Sequence, residues 1–285
     1  MNINFYSPKK KVDFRSLISL EGVLNNDVYE IICEAERLRT MIRLKEKTCF
    51  FDKKTAVLFT DKPQGAQRIA FEKAAFYYGG QAIVISVNAL DNKEGILRNV
   101  VYAARSNVDA VFFDIDGLDN SLLPTDLTII NANSLSGPVF ALSALLTAKR
   151  AFGSPSDIKV CVVEDQRPSD ISVAFAKANA ALTITSAKSG FSQKDVSYLS
   201  QFTDVCVAGN SPLQKESDLT VYNSFSPVLL SQILAKEIRP KIILSRVNPL
   251  SSLLESAGET ETSFLAAVNT EDVIAAILSL ISAVK

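Results

Sequence analysis

The sequence predicts an α/β protein built from two doubly wound parallel-sheet domains. Three observations lead there. At 285 residues the chain exceeds what one hydrophobic core usually holds. Short β-branched runs alternate with helical spacers, the pattern of βαβ units whose parallel sheet is covered on both faces. Gly153-Ser154-Pro155-Ser156 then interrupts the alternation, which starts afresh behind it.

Residues 26–45 place Val28, Ile31, Ile32, Ala35, Leu38, Met41 and Ile42 at three-and-four spacing, which predicts an amphipathic helix. TAVLFT (55–60) and QAIVISV (81–87) read as strands flanking a helix over 66–78. A helix over 94–106, strands at 108–113 and 127–131, and a helix over 138–152 follow, with Pro138 in the first turn where proline is tolerated. Beyond the break come strands at 158–163, 181–185, 203–208, 219–222 and 241–244. Helices over 169–180, 193–202 and 227–237 separate them. A last helix over 269–284 opens on acidic residues, which suit a helix N-terminus, and has Val273, Ile274, Ile277, Leu280, Ile281 and Val284 to bury.

Composition narrows the chemistry. Thirty basic and thirty-one acidic side chains nearly cancel, and Lys9-Lys10-Lys11 near a terminus reads as a solvated tail, so no nucleic-acid partner is expected. No run approaches the ~18 apolar residues of a membrane span. Met1-Asn2-Ile3-Asn4-Phe5 lacks the apolar run of a signal peptide, so the cytoplasm is the expected location. Cys33, Cys49, Cys161 and Cys206 form no Cys-x-x-Cys pair and read as buried reduced thiols. The chain has no histidine, which excludes a Ser-His-Asp triad, a Cys-His pair and any His-bound metal. No acidic cluster has the spacing of a metal site, and neither metal nor cofactor is expected. Gly79-Gly80 is a turn without a G-x-G-x-x-G pattern, so a dinucleotide site has no motif support.

DKPQGAQRIAFEKAAFYYGGQAIVIS (61–86) resembles the segment E-K-P-S-T-R-T-R-x-S-F-E of the aspartate/ornithine carbamoyltransferase family, with Lys62, Pro63, Arg68, Phe71, Glu72 and Gly80 matching. IINANSLSGPVFALSALLTAKRAFG (129–153) resembles the family stretch ending H-P-x-Q-A-L-x-D-L-L-T, with Pro138, Ala141, Leu142, Leu145, Leu146 and Thr147 kept. FRSLISLEGVLNNDVYEIICEAERLR (14–39) resembles the first helix and its lead-in. LSRVNPL (244–250) resembles the aspartate branch's L-P-R-V-D/N-E-I. The resemblance spans nearly the whole chain and is nearest the aspartate carbamoyltransferase catalytic chain. It implies a carbamoyl-phosphate-binding-like domain over 1–152, to which a C-terminal segment over 264–285 returns, and an amino-acid-binding-like domain over 153–263. It also implies trimers joined through the first domain, in which each active site borrows residues from a neighbour.

The departures bear on function. The family's S-T-R-T grips phosphate at a helix N-terminus with backbone N–H groups, hydroxyls and a guanidinium. Here those positions are Gln64, Gly65, Ala66 and Gln67. Arg68 matches a position with a structural role. The resemblance puts a phosphate-binding arginine after V-D-A-x-x-x, where VDAVFFD (108–114) has Asp114, a carboxylate that repels a dianion. The histidine and glutamine of H-P-x-Q, which polarise the carbamoyl carbonyl, are Gly137 and Phe140, so oxyanion-type stabilisation should be absent. In the second domain Asp170 stands where an arginine belongs, Ser224-Phe225-Ser226-Pro227 replaces T-R-x-Q, and Ile242-Ile243-Leu244-Ser245 replaces H-P-L-P. Lys93 is a candidate for the lysine that the family lends from a neighbour's loop.

Each charge-assisted contact contributes about 1.5–3 kcal/mol, so losing three weakens phosphate binding by ~1,000-fold or more. The expectation is a catalytically degenerate carbamoyltransferase homologue with a vestigial carbamoyl-phosphate cleft (Gln64, Gly65, Ala66, Gln67, Asp114, Gly137, Phe140) and a vestigial amino-acid cleft (Asp170, Phe225, Leu244). It would be an assembly or regulatory partner in amino-acid or pyrimidine metabolism, as a homotrimer or a mixed trimer with an active chain. An active transferase with an altered substrate and a metabolite-binding sensor are the alternatives. Glu164, Asp165, Arg167 and Asp170 read as a solvated loop with local ion pairs, or else a new small-molecule site. Asp114 and Asp116 read as an exposed strand-end loop rather than paired acid-base carboxylates. Tyr77 and Tyr78 read as packed on a helix face.

Overall fold

The structure, a computed structural model, describes residues 6, 8, 12–46, 48–62, 64–88, 92–133, 137–164, 169–186, 192–208, 218–222, 242–245, 263–264 and 269–284. The chain divides into two compact units, Met1–Ser143 with Asn269–Lys285, and Ala144–Val268.

In the first unit, helix α1 (Asn25–Arg43) precedes β1 (Thr55–Thr60), α2 (Ala66–Tyr77), β2 (Gln81–Ser86), α3 (Lys93–Arg105), β3 (Ala110–Asp114) and β4 (Ile129–Asn131). The four strands form one parallel sheet in the order β2-β1-β3-β4, in register from Thr55↔Gln81 to Thr60↔Ser86 and from Ala56↔Ala110 to Thr60↔Asp114. A parallel sheet needs both faces covered, and the apolar runs of β1, β3 and β4 are buried accordingly. The edge strand β2 is the exception: Ile83 and Ile85 are 39% and 38% exposed, so the expected two-sided cover stops short of this edge. Phe71 of α2 packs on Phe112 of β3 with ring centroids 5.2 Å apart. Helix α3 begins at Asn92, whose side chain accepts a hydrogen bond from the Glu94 N–H, and lays Ile96, Leu97 and Val100 on the sheet.

The last helix, which we number α7 (Thr270–Val284), belongs to this unit and packs on α1 and α2. Its apolar face is buried from Val273 to Ile281. Polar ties fix its register: Ser279 Oγ donates to Glu34 Oε1 (2.6 Å), and Lys73 Nζ to Glu271 Oε2 (2.7 Å). Glu34 is fully buried on α1, where it also accepts from Tyr6 Oη (2.9 Å) and pairs with Arg37 Nη1 (2.9 Å).

Helix α4 (Pro138–Phe152) runs across the division between the units. In the second unit, β5 (Lys159–Glu164), α5 (Asp170–Lys177), β6 (Ala181–Ser186), α6 (Gln193–Leu199), β7 (Val205–Ala208), β8 (Leu219–Tyr222), β9 (Ile242–Ser245) and β10 (Ser263–Phe264) follow. The strands form a parallel sheet in the order β10-β9-β8-β5-β6-β7. The helix expected over 227–237 lies outside the described residues.

Burial corrects three smaller expectations. Cys161 is buried, but Cys206 on the edge strand β7 is exposed, and Cys33 and Cys49 are half-buried. Tyr78 is buried just past the end of α2, stacked on Phe50 at 4.4 Å, whereas Tyr77 is 41% exposed. Asp114 is no exposed loop residue: it ends β3 at 1% exposure, because it continues a fully buried strand.

Candidate functional site

In an open parallel sheet, ligands bind beyond the carboxyl ends of the strands, where the strand order reverses. The first sheet steps from β1 outward to β2 and returns to β3 on β1's other side, so its switch point lies between β1 and β3. The second runs β5-β6-β7 one way and β8-β9-β10 the other, which puts its switch point between β5 and β8.

At the first switch point Lys62 is the hub. Its Nζ lies 3.4 Å from Asp114 Oδ1, 2.8 Å from Asp116 Oδ1 and 3.9 Å from Asp61 Oδ1. Asn133 Nδ2 donates to Asp116 Oδ1 (3.2 Å) and to the Ile115 carbonyl (2.8 Å). Asn131 Oδ1 accepts the Asn133 N–H (2.9 Å), and Asp61 Oδ2 accepts the Asp116 N–H (3.2 Å). Lys93 Nζ reaches the Gly117 carbonyl at 3.0 Å, from the same unit. Among the described residues, three carboxylates surround one ammonium. Like charges 4 Å apart repel by about 4 kcal/mol at the effective dielectric of a partly buried site, so this crevice is unfavourable for a dianion.

The N-terminus of α2 faces the same switch point, since the helix begins after the loop that leaves β1. Gly65 caps it with no side-chain hydrogen bond, and Gln64 and Ala66 are exposed. Gln67 is 4% exposed, and neither of its amide atoms has a hydrogen-bond partner among the described residues. Arg68 Nε pairs with Glu72 Oε1 at 3.0 Å along the helix. Gly137 is buried at the start of α4, where a Cβ would lie 2.8 Å from the Asn133 carbonyl and 2.9 Å from Asn131 Oδ1. The backbone here leaves no room for any side chain. Phe140 is 6% exposed in the core.

At the second switch point Glu164 ends β5 and is fully buried. The expected solvated loop does not apply to it. Its carboxylate accepts the Ser169 N–H at 2.5 Å and the Ser172 hydroxyl. Burial raises its pKa to about 7, against the lowering effect of those hydrogen bonds and with the Asp170 charge adding to the rise. Asp170 is the first residue of α5, 8% exposed, behind the N-cap Ser169. Leu244 lies in β9 in register with Val221 of β8. Phe225, Asp165 and Arg167 lie outside the described residues. No group of three or more acidic or thiol side chains among the described residues is spaced to hold a metal ion.

The structure thus gathers Asp114 and the α2 N-terminus at one sheet end and adds residues that sequence reading assigned no role. Lys62 was visible as a motif match. Asn131 and Asn133, at the end of β4, carried only a weak signal: two amides alternating in an otherwise apolar run.

No helix among the described residues is long and apolar enough to cross a membrane. No family model matches the sequence, and no curated protein does. Solved structures do match in fold. Ornithine carbamoyltransferase from Pyrococcus furiosus superposes with a TM-score of 0.70 at 15% identity, covering 95% of this chain and 97% of that one. Aspartate transcarbamoylase from Trypanosoma cruzi in complex with phosphate gives 0.69 at 13% identity, covering 99% and 98%. The same enzyme with N-(phosphonacetyl)-L-aspartic acid gives 0.68 at 13%, covering 99% of each chain. Two parallel α/β sheets in this order, with a final helix returning to the first, are the fold of the ornithine and aspartate carbamoyltransferases.

Proposed function

We propose that this chain is a catalytically degenerate protein of carbamoyltransferase fold, acting in the cytoplasm as an assembly or regulatory partner in amino-acid or pyrimidine metabolism. The observation that carries the reading is Asp114. Where the resemblance implies a phosphate-binding arginine, a buried carboxylate pairs with Lys62 and shares it with Asp116 and Asp61. Gln64, Gly65, Ala66 and Gln67 supply no hydroxyl or guanidinium at the α2 N-terminus, and Gly137 has no room for the histidine. The scaffold around these positions remains packed, as in a protein released from its chemistry.

Exposed apolar side chains support the assembly role. Helix α2 leaves Ile69 and Phe76 at 61% and 81% exposure, and on the other face of the sheet the edge strand β2 leaves Ile83 and Ile85 exposed beside α3. A cyclic homotrimer, or a mixed trimer with an active chain, would cover such a surface. Size-exclusion chromatography with light scattering should give three times the 31.0 kDa chain mass, or capture of an active carbamoyltransferase chain from native lysate. A clean monomer that captures none would refute the assembly role. Purified chain given carbamoyl phosphate with aspartate or ornithine should release no phosphate above the uncatalysed rate, and turnover would refute the degenerate reading.

A further inference from the structure

We infer that the open edge of β2 pairs with β2 of a second copy of this chain, antiparallel across a two-fold axis at Val84, so that two first-unit sheets join into one. This contact goes beyond the proposed trimer and does not depend on it.

The two edges of the first sheet differ. Beyond β4, Leu17 closes the edge: its N–H donates to the Ile129 carbonyl at 2.9 Å, and its carbonyl accepts from the Asn131 N–H at 2.8 Å. Among the described residues nothing pairs with the outer edge of β2, and none of the strand's residues is buried. Charge, proline or a bulge usually blunts such an edge. Gln81-Ala82-Ile83-Val84-Ile85-Ser86 has no charged residue and no proline, and it keeps register with β1 throughout.

Hydrogen-bond parity selects the partner. The Gln81 N–H donates to the Lys54 carbonyl and the Val87 N–H to the Thr60 carbonyl, both at 2.9 Å, so the odd-numbered residues bond towards β1. Ala82, Val84 and Ser86 therefore turn N–H and C=O outward. In an antiparallel pair centred on Val84, this residue meets Val84 of the second copy and Ala82 meets its Ser86, each pair exchanging two hydrogen bonds. Ile83 then lies opposite Ile85 of the second copy, at the non-bonded position where side chains approach most closely. The strand is its own complement in donors, acceptors and side chains.

The flanking charges agree. Lys73 of α2 reaches Glu271 of α7 on the side of α2 towards α1, whose lead-in residue Leu17 lies beside β4. With 3.6 residues per turn, Arg68 and Glu72 lie across the helix from that side, above the open edge of β2. Strand β2 runs back alongside α2. The step from Gln81 to Val84, about 10 Å, matches about seven helix residues back from Tyr77. The axis thus passes near Ala70, midway between Arg68 and Glu72, and brings Arg68 of each copy level with Glu72 of the other. Ile69 and Phe76, opposite the buried face of α2, remain for a trimer contact.

The test is light scattering or sedimentation of the full chain at low ionic strength over roughly 1–100 µM, a range suited to a contact smaller than a standard interface. The mass is expected to double across it, whether the dilute unit is one chain or three. Val84→Pro removes an outward N–H and no bond to β1, so the protein should stay folded by circular dichroism and lose the doubling. Arg68→Glu sets acid against acid and should weaken pairing by ~10-fold or more; adding Glu72→Arg restores the complement and the pairing. A mass that does not change with concentration overturns the inference, as does doubling that survives Val84→Pro. A fixed mass of three chains would leave the trimer standing, whereas a fixed single-chain mass would remove the homotrimer as well.

Discussion

Glu164→Gln removes a buried titratable group while keeping the side chain's shape. Glu164 is fully buried, and its pKa rises from 4.5 to about 7 because ionisation inside the second unit costs hydration that two hydrogen bonds only partly offset. The native chain therefore holds a proton that the unfolded chain releases between those values. Stability is full below pH 4.5, declines as pH rises through about 7, and levels off above it. At 1.36 kcal/mol per pH unit the decline is roughly 3 kcal/mol. Glutamine avoids that loss, but its NH2 group replaces one of the two oxygens that meet the Ser169 N–H and the Ser172 hydroxyl, which gives up about 1–2 kcal/mol. Glu164→Gln should then stabilise the protein by about 1–2 kcal/mol at pH 8 and destabilise it by a similar amount at pH 4.5. Urea denaturation of both proteins at the two pH values measures this. A substitution effect that is the same at both pH values would refute the reasoning, because it would mean that Glu164 is ionised in the folded protein throughout.

Three further outcomes follow from particular contacts. Glu34→Ala strips the acceptor from Tyr6, Ser279 and Arg37 inside the α1–α7 interface and should cost about 3 kcal/mol in denaturant unfolding, with Glu34→Gln milder. Gly137→Ala places a methyl 2.8 Å from the Asn133 carbonyl and should cost about 1–3 kcal/mol; an unchanged melting temperature would mean that the start of α4 has room for a side chain. Ala66→Arg should remain without carbamoyl-transfer activity in a phosphate-release assay, since the site acts as a unit and the new guanidinium has the carboxylates around Lys62 to pair with.

Periodicity made the strands and helices legible because burial imposes it: the five apolar positions from Val28 to Leu38 that repeat at three-and-four spacing are the buried apolar face of α1. Element ends were less legible. The helix expected over 169–180 spans Asp170–Lys177, because Ser169 caps its start and Asn179, at φ +60°, turns the chain at its end. The switch points could be anticipated only as strand ends, since strand order depends on pairings distant in sequence. Burial at those ends was the least legible feature. Asp114 and Glu164 carry the local signature of polar loops, and only the completed sheet shows each as the last buried residue of its strand. Gln67 is a polar residue on a helix whose apolar spacing already accounted for its neighbours, and nothing local marks its amide as lacking a partner.

The degenerate reading is tested most directly by titrating the purified chain with N-(phosphonacetyl)-L-aspartic acid in a calorimeter at low ionic strength. This molecule presents a phosphonate and two carboxylates, so its binding depends on anion-binding groups of the kind that the proposal holds to be missing. With Asp114 and Asp116 beside Lys62, and no guanidinium or hydroxyl among Gln64, Gly65, Ala66 and Gln67, no saturable heat is expected at micromolar ligand. A one-site isotherm with a micromolar or tighter Kd would contradict the reading, because it would mean that the anion-binding function survives the replacement of its residues.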